Sequence, residues 1–114
     1  MEMQVILDNL ENALNNNDEL TAYDCIRYIV RTVVYKKGIY RSNAALRRDF
    51  ISTFITDLYM RILYFRNKGE PIKPYAIYRY AKLFYIRSLG EFKHREESRE
   101  YTTKEMNLMI QRNN

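Results

Sequence analysis

The spacing of apolar residues in the middle of the chain is the feature that most constrains its fold. Large apolar side chains recur there every three or four residues: Leu46, Phe50, Phe54, Leu58, Ile62 and Phe65. This spacing places the side chains on one face of an α-helix, whereas a half-buried strand would alternate apolar and polar residues. Only three glycines and two prolines interrupt the 114 residues. We therefore predict an all-α fold with a central helix at 43–66, capped at its N-terminus by Ser42.

Three more helices are predicted around the central one. The first spans 3–14, with an apolar stripe of Met3, Ile6, Leu7, Leu10 and Leu14. The second spans 20–36, where Thr21 and Asp24 have the spacing of a capping box and Gly38 suits the C-terminal end. Its apolar positions are Tyr23, Ile26, Ile29, Val30, Val33 and Val34. The fourth spans 74–89, beginning at Pro74 and ending at Gly90.

The residues after Gly90 allow two interpretations. The polar segment 91–100 either extends the fourth helix or forms a tail, and Thr102 with Glu105 repeats the capping-box spacing before a short apolar run. We expect a compact bundle of four to five helices, without a sheet, around Leu46, Phe50, Phe54, Leu58 and Ile62. The length suits one domain, 1–114. It comprises an acidic N-terminal helix (1–18), a basic helical core (20–90) and a charged C-terminal extension (91–114).

Several classes of protein fit the composition poorly. The lone Cys25 cannot form an internal disulfide, and the N-terminus lacks the pattern of a secretory signal, so we expect a cytoplasmic protein. No apolar run approaches the roughly 20 residues needed to span a bilayer. The chain has one histidine, one cysteine and no glycine-rich phosphate loop. It therefore offers few residues for a nucleophile, a metal site or a nucleotide-binding loop. We expect Cys25 to be a buried apolar residue and His94 to be solvated, with no catalytic residue, metal site or cofactor.

Charge is segregated along the chain. Residues 1–24 carry six acids and no base, residues 25–90 carry fourteen bases and three acids, and residues 91–114 carry five of each. A basic surface attracts phosphates or acidic proteins. The alternative is a set of ordinary solvated helix faces.

Aromatic and basic residues are interleaved in segment 73–87, within the fourth predicted helix. Tyr75, Tyr78, Lys82 and Tyr85 share one stripe of that helix, and Arg79 borders it. Unpaired bases stack on aromatic rings while lysine and arginine neutralise phosphates, so the stripe suits single-stranded nucleic acid. Alternatively, the tyrosines form part of the core with their hydroxyls at its rim.

The order of residues 49–84 resembles the conserved second region of the sigma-70 family of transcription initiation factors. The family motif begins at an acidic residue, continues as an apolar helix and, after a short connection, reads F-x-x-Y-A before two tryptophans. Its counterparts here are Asp49-Phe50-Ile51, Leu58, Ile62, Phe65, the segment 72–76 (Ile-Lys-Pro-Tyr-Ala) and, at the first tryptophan position, Tyr78. Ser52-Thr53 replaces a Gln-Glu pair, and Arg79 replaces the second tryptophan. The pattern is most similar to the reduced late-gene sigma factors of tailed phages.

The resemblance implies a bundle like sigma region 2, in which one helix docks on core RNA polymerase and the next captures melted promoter DNA. By this analogy Tyr75 would stack on a flipped base, Tyr78 would support the fork, and Lys82 and Tyr85 would face the upstream edge of the promoter element. The implied DNA-binding residues are Lys73, Tyr75, Tyr78, Arg79, Lys82 and Tyr85. The implied polymerase-binding residues are Asp49, Ser52, Thr53 and Tyr59.

The leading hypothesis is therefore a sigma-like initiation factor in the host-cell cytoplasm. Its partners would be core RNA polymerase, promoter DNA and accessory phage proteins, without a membrane. The alternative is a virion or DNA-packaging accessory protein whose basic surface binds DNA or an acidic protein. A third hypothesis is an inhibitor that binds the polymerase or the sigma factor.

Overall fold

Four α-helices make up the computed structural model, which describes the backbone of residues 2–112 and the side chains of residues 2–97. The helices are α1 (Met3–Asn15), α2 (Glu19–Lys37), α3 (Ala44–Asn67) and α4 (Pro74–Arg112). No strand occurs within residues 2–112, so the predicted all-α bundle is confirmed. None of the helices in the described part of the chain has a stretch long and apolar enough to span a membrane.

The core consists of the apolar stripes that the sequence predicts. Ile6, Leu7 and Leu10 of α1 are buried, as are five of the six predicted positions of α2, whereas Tyr23 is 44% exposed. From α3, Phe50, Phe54, Leu58 and Ile62 are buried, and Leu46 packs at the edge. From α4, the buried side chains are Ile77, Ala81, Ser88 and Phe92. Within the described residues, α2 and α4 pack against α3, and α1 packs against α2 and α4.

The residues that cap the N-termini of α2 and α3 differ from the predicted ones. Asp18, rather than Thr21, is the N-cap of α2, because its carboxylate accepts hydrogen bonds from the backbone N–H and the hydroxyl of Thr21. Asn43, rather than Ser42, caps α3, and its side-chain oxygen accepts from the N–H of Leu46. Each actual cap satisfies a backbone donor that the first helical turn leaves free. Gly38 ends α2 in the left-handed conformation, as predicted, with a φ of 66°.

Of the two interpretations of the segment after Gly90, extension of the fourth helix is correct and an end at Gly90 is wrong, because α4 continues without interruption to Arg112. Gly90 lies on the exposed side of α4, where a glycine costs a helix only about 1 kcal/mol relative to alanine. Phe92, just beyond it, is 4% exposed and packs against Tyr40 and Phe50, with ring centroids 5.9 and 5.5 Å apart. Burial of this ring offsets the cost of the glycine. The predicted cap at Thr102 therefore lies inside a helix.

The chain between α2 and α3 makes a tight reversal that places the end of α2 beside the start of α3. Tyr40 adopts a left-handed backbone conformation there, with a φ of 52°, and its partly buried ring packs against Phe50 and Phe92. A positive φ is uncommon for a bulky residue, so these ring contacts hold the reversal in place. As a result, α2 and α3 run antiparallel.

Charge changes sign along α2. Asp18, Glu19 and Asp24 lie at its N-terminal end, whereas Arg27, Arg31, Lys36 and Lys37 follow toward the C-terminus. Acids near the start of a helix and bases near its end also complement the helix dipole. The basic end of α2 lies beside the start of α3, where Arg47 and Arg48 add two more cations.

Candidate nucleic-acid interface

The first two turns of α4 present the most exposed aromatic residue of the predicted DNA-binding set. Tyr75 follows Pro74, the first residue of the helix, and its side chain is 72% exposed. Lys73, just before the helix, and Arg79, one turn beyond Tyr75, are also exposed. The ring of Tyr75 is therefore accessible for stacking, with two cations nearby along the chain.

The other predicted aromatic residues of this set lie partly packed between α4 and the end of α2. The ammonium of Lys36 lies 5.7 Å from the ring centroid of Tyr78, and that of Lys82 lies 4.7 Å from the same centroid. Lys37 lies 5.6 Å from the ring of Tyr85. These distances are typical of cation–π contacts. Two helices thus contribute the cations of this surface, which we call the α2–α4 basic surface (Lys36, Lys37, Tyr78, Lys82 and Tyr85).

The burial pattern of α4 explains why Tyr75 is exposed whereas Tyr78 and Tyr85, in the same predicted stripe, are partly buried. Ile77 and Ala81 lie on its fully buried line, and Tyr78 and Tyr85 flank that line as partly buried side chains packed on the core. Tyr75 stands at the start of the helix, where the bundle no longer covers it. Leu83 and Ile86, which the sequence analysis did not single out, are 66% and 62% exposed.

The predicted polymerase-binding residues of α3 line two separate cavities. Asp49, Ser52 and Thr53 line a cavity of about 330 Å³ together with Phe92, Arg95 and Glu96 of α4. Tyr59 instead lies beside the α1–α2 connection, in a cavity that Asp18 and Glu19 also line. Burial, assisted by the negative charge of Glu19, raises the pKa of the Tyr59 hydroxyl. Asp49, Ser52 and Thr53 therefore lie together, whereas Tyr59 lies about two turns further along α3, beside the α1–α2 connection.

A groove of about 480 Å³, which the sequence did not predict, lies between α2 and α3. Four of its lining residues are arginines: Arg27, Arg31, Arg47 and Arg48. The ring of Tyr35 lies between two of the guanidinium groups, 5.8 Å from that of Arg31 and 5.0 Å from that of Arg47. We call this feature the arginine groove. The four-residue spacing of Arg27 and Arg31 indicates one shared helix face, but their juxtaposition with Arg47 depends on how α2 and α3 pack.

The arginine groove is joined to the α2–α4 basic surface through α2. Arg27, Arg31 and Tyr35 line both the groove and the outer surface of α2, and Lys36 lines that outer surface as well. Lys36 in turn contacts Tyr78 of α4. Cations and aromatic rings therefore connect the start of α3, across α2, with α4, although Asp24 and Thr32 also line the outer surface of α2.

The two residues considered for nucleophilic or acid–base chemistry lie apart from this interface. Cys25 is buried in the core, and burial, reinforced by Asp24 and Asp18, raises the pKa of its thiol. A raised pKa disfavours the reactive thiolate, which agrees with the interpretation of Cys25 as a buried apolar residue. His94 is exposed on α4.

Comparison of the chain with protein-family models, with curated proteins and with solved structures finds no match.

Proposed function

We propose that the protein is a sigma-like transcription initiation factor that binds core RNA polymerase and captures unpaired promoter DNA. The observation that carries the DNA-binding part is the exposed ring of Tyr75, which lies about one turn along α4 from Tyr78. The ring of Tyr78 has a lysine of α2 and a lysine of α4 beside it. A free aromatic ring stacks on a base of any identity, and neighbouring lysines neutralise the phosphates that flank it. This combination favours a single strand over a fully paired duplex, in which the base faces are not accessible.

The polymerase-binding part of the proposal rests on the resemblance of residues 49–84 to sigma region 2, together with the position of one group of side chains. Asp49 and Ser52 are exposed, and Thr53 is partly exposed beside them. Tyr59 lies about two turns further along α3, and we leave it out of the proposed docking face because it lines the cavity beside the α1–α2 connection. Accessory phage proteins are proposed further partners on the same grounds of resemblance.

The proposed function is tested by capture of a purified bacterial core RNA polymerase on the immobilised protein. We expect the polymerase to be retained, and Asp49→Lys to reduce retention because it reverses the charge of the docking face. Asp8→Lys is the matched control, since Asp8 is an exposed carboxylate on α1 rather than α3. If the wild-type protein binds DNA but retains no polymerase, the virion or DNA-packaging alternative replaces the sigma-like role.

A further inference from the structure

The arginine groove between α2 and α3 has no role in the function proposed so far. We propose that it is a second binding site, which holds consecutive phosphates of the nucleic-acid strand whose unpaired part lies at Tyr75. The inference rests on the proposed DNA binding and extends it, because it names a separate site and the chemical group that this site takes. The site consists of Arg27, Arg31, Arg47 and Arg48, with Tyr35 between its walls.

No ion pair among the described side chains neutralises the arginines of the groove. Within residues 2–97, the ion pairs join Arg66 to Glu11, Lys68 to Glu70 and Arg87 to Glu91, and none includes an arginine of the groove. No acidic residue lines the groove either. Four guanidinium groups that face one cavity repel one another, and a bound anion relieves this repulsion. The groove is therefore arranged to receive a ligand with several negative charges.

The kind of cation indicates the chemistry of the ligand. A guanidinium group presents a planar fork of N–H donors that matches the oxygens of a phosphate in a bidentate manner. Arg27 and Arg31 lie one helical turn apart, about 6 Å along α2, and Arg47 reaches the same groove from α3. Contact between Tyr35 and the guanidinium groups of Arg31 and Arg47 restrains both side chains before a ligand arrives. Spaced forks on two walls suit a chain of phosphates.

The position of the groove favours a nucleic-acid strand over an acidic peptide. Its outer rim continues through Lys36 to the ring of Tyr78, so a strand held at α4 can run onto the groove along the cations of α2. Asp24 is the one acidic residue among those that line this outer surface. An acidic peptide in the groove would have to compete with that strand for the same cations. We therefore assign the groove to the sugar–phosphate backbone that leads away from the unpaired segment.

The test compares Arg31→Gln and Arg47→Gln, singly and combined, with Tyr75→Ala and with Lys68→Gln. Lys68 is a matched control because it is also a cation near a tyrosine ring on α3, but about 30 Å along the helix from Arg48. Affinity for a forked oligonucleotide, which has a paired and an unpaired part, is measured by fluorescence anisotropy at several salt concentrations, with core polymerase present. Circular dichroism and thermal unfolding establish that each variant is folded.

Each arginine substitution should make the plot of log affinity against log salt shallower by about 0.7 to 0.9, the value of one phosphate contact. In the double variant the slope should become shallower by about twice that amount, on both forked and fully paired probes. Tyr75→Ala should weaken fork binding without changing the slope, and Lys68→Gln should behave like the wild type. As a second measurement, the arginine Nε–H signals in heteronuclear NMR spectra should shift when a short oligonucleotide is added to the wild-type protein.

Three results would overturn the inference. If the double variant keeps the wild-type slope while Tyr75→Ala loses affinity, the groove is not a phosphate site but the proposed DNA binding stands. If polyglutamate binds the wild type but not the double variant, and yet displaces no DNA from the wild type, the groove binds an acidic protein rather than DNA. If the wild type binds no oligonucleotide even with polymerase present, both the groove site and the proposed DNA binding are wrong.

Discussion

Replacing Tyr75 with alanine tests the proposed capture of unpaired DNA with little disturbance of the fold. The side chain is 72% exposed, so its truncation returns little apolar surface to water and should leave the free energy of unfolding almost unchanged. Tyr78 would be a poorer choice, because its ring packs on the core and contacts both Lys36 and Lys82. Loss of DNA binding in a Tyr78 variant could therefore reflect lost packing.

Stacking of a base on an aromatic ring contributes roughly 1 to 3 kcal/mol. Since each 1.4 kcal/mol is a factor of ten in affinity, Tyr75→Ala should weaken binding to a forked probe by roughly 5- to 150-fold. Binding to a fully paired probe should barely change, because its bases are stacked on one another and cannot reach the ring. The ratio of the two affinities, rather than either affinity alone, is the quantity that the hypothesis predicts.

The assay is fluorescence anisotropy with labelled forked and paired oligonucleotides, with core polymerase present, alongside thermal unfolding of the same samples. Tyr64→Ala is the matched control, since Tyr64 is an exposed tyrosine of α3 that lies beside Phe84 and Arg87 of α4 and outside the α2–α4 basic surface. The reasoning is refuted if Tyr75→Ala loses forked and paired DNA equally. It is also refuted if the variant unfolds, since Tyr75 would then be part of the core.

Two further predictions concern stability. The buried hydroxyl of Ser88 donates a 2.6 Å hydrogen bond to Asp57. Ser88→Ala should therefore lower the free energy of unfolding, measured by chemical denaturation, by roughly 1 to 3 kcal/mol. An unchanged denaturation midpoint would show that water replaces the hydroxyl. Hydrogen bonds from the hydroxyl and the backbone N–H of Thr21 lower the pKa of Asp18 below its ordinary 3.8. The ionised carboxylate therefore stabilises the fold fully above pH 3.8, and this stabilisation is lost as the pH falls through the lowered pKa. Asp18→Asn keeps a capping side chain but cannot titrate, and its stability should fall less steeply in acid than that of the wild type.

Periodicity predicted the helices well because burial of an apolar stripe decides where most of them form. The predicted bounds of the first three helices lie within one residue of those observed. The caps could not be predicted as well, since Ser42 and Asn43 are both good capping residues and the backbone of the preceding reversal decides which one is used. Gly90 misled the prediction because a glycine ends a helix only where no packing beyond it compensates, and Phe92 supplies that packing.

The candidate interface was only partly predictable, because it depends on contacts between helices that are distant in sequence. The aromatic and basic residues of segment 73–87 could be recognised from their spacing, but the packing of α4 against α2 determines that Tyr78 and Tyr85 lie at the core and Tyr75 does not. The arginine groove combines residues of α2 with residues about twenty positions further along, and no local pattern joins them.

The change of charge sign along α2 should orient the protein as it approaches a polyanion, before any contact forms. A polyanion attracts the end of α2 that carries Lys36 and Lys37 and repels the end that carries Asp18 and Glu19. The resulting torque turns the protein during its diffusive approach, so a larger fraction of collisions occurs with the basic end leading. Orientation of this kind raises the association rate constant and leaves the dissociation rate constant to the short-range contacts, and it weakens as added salt shortens the range of the field.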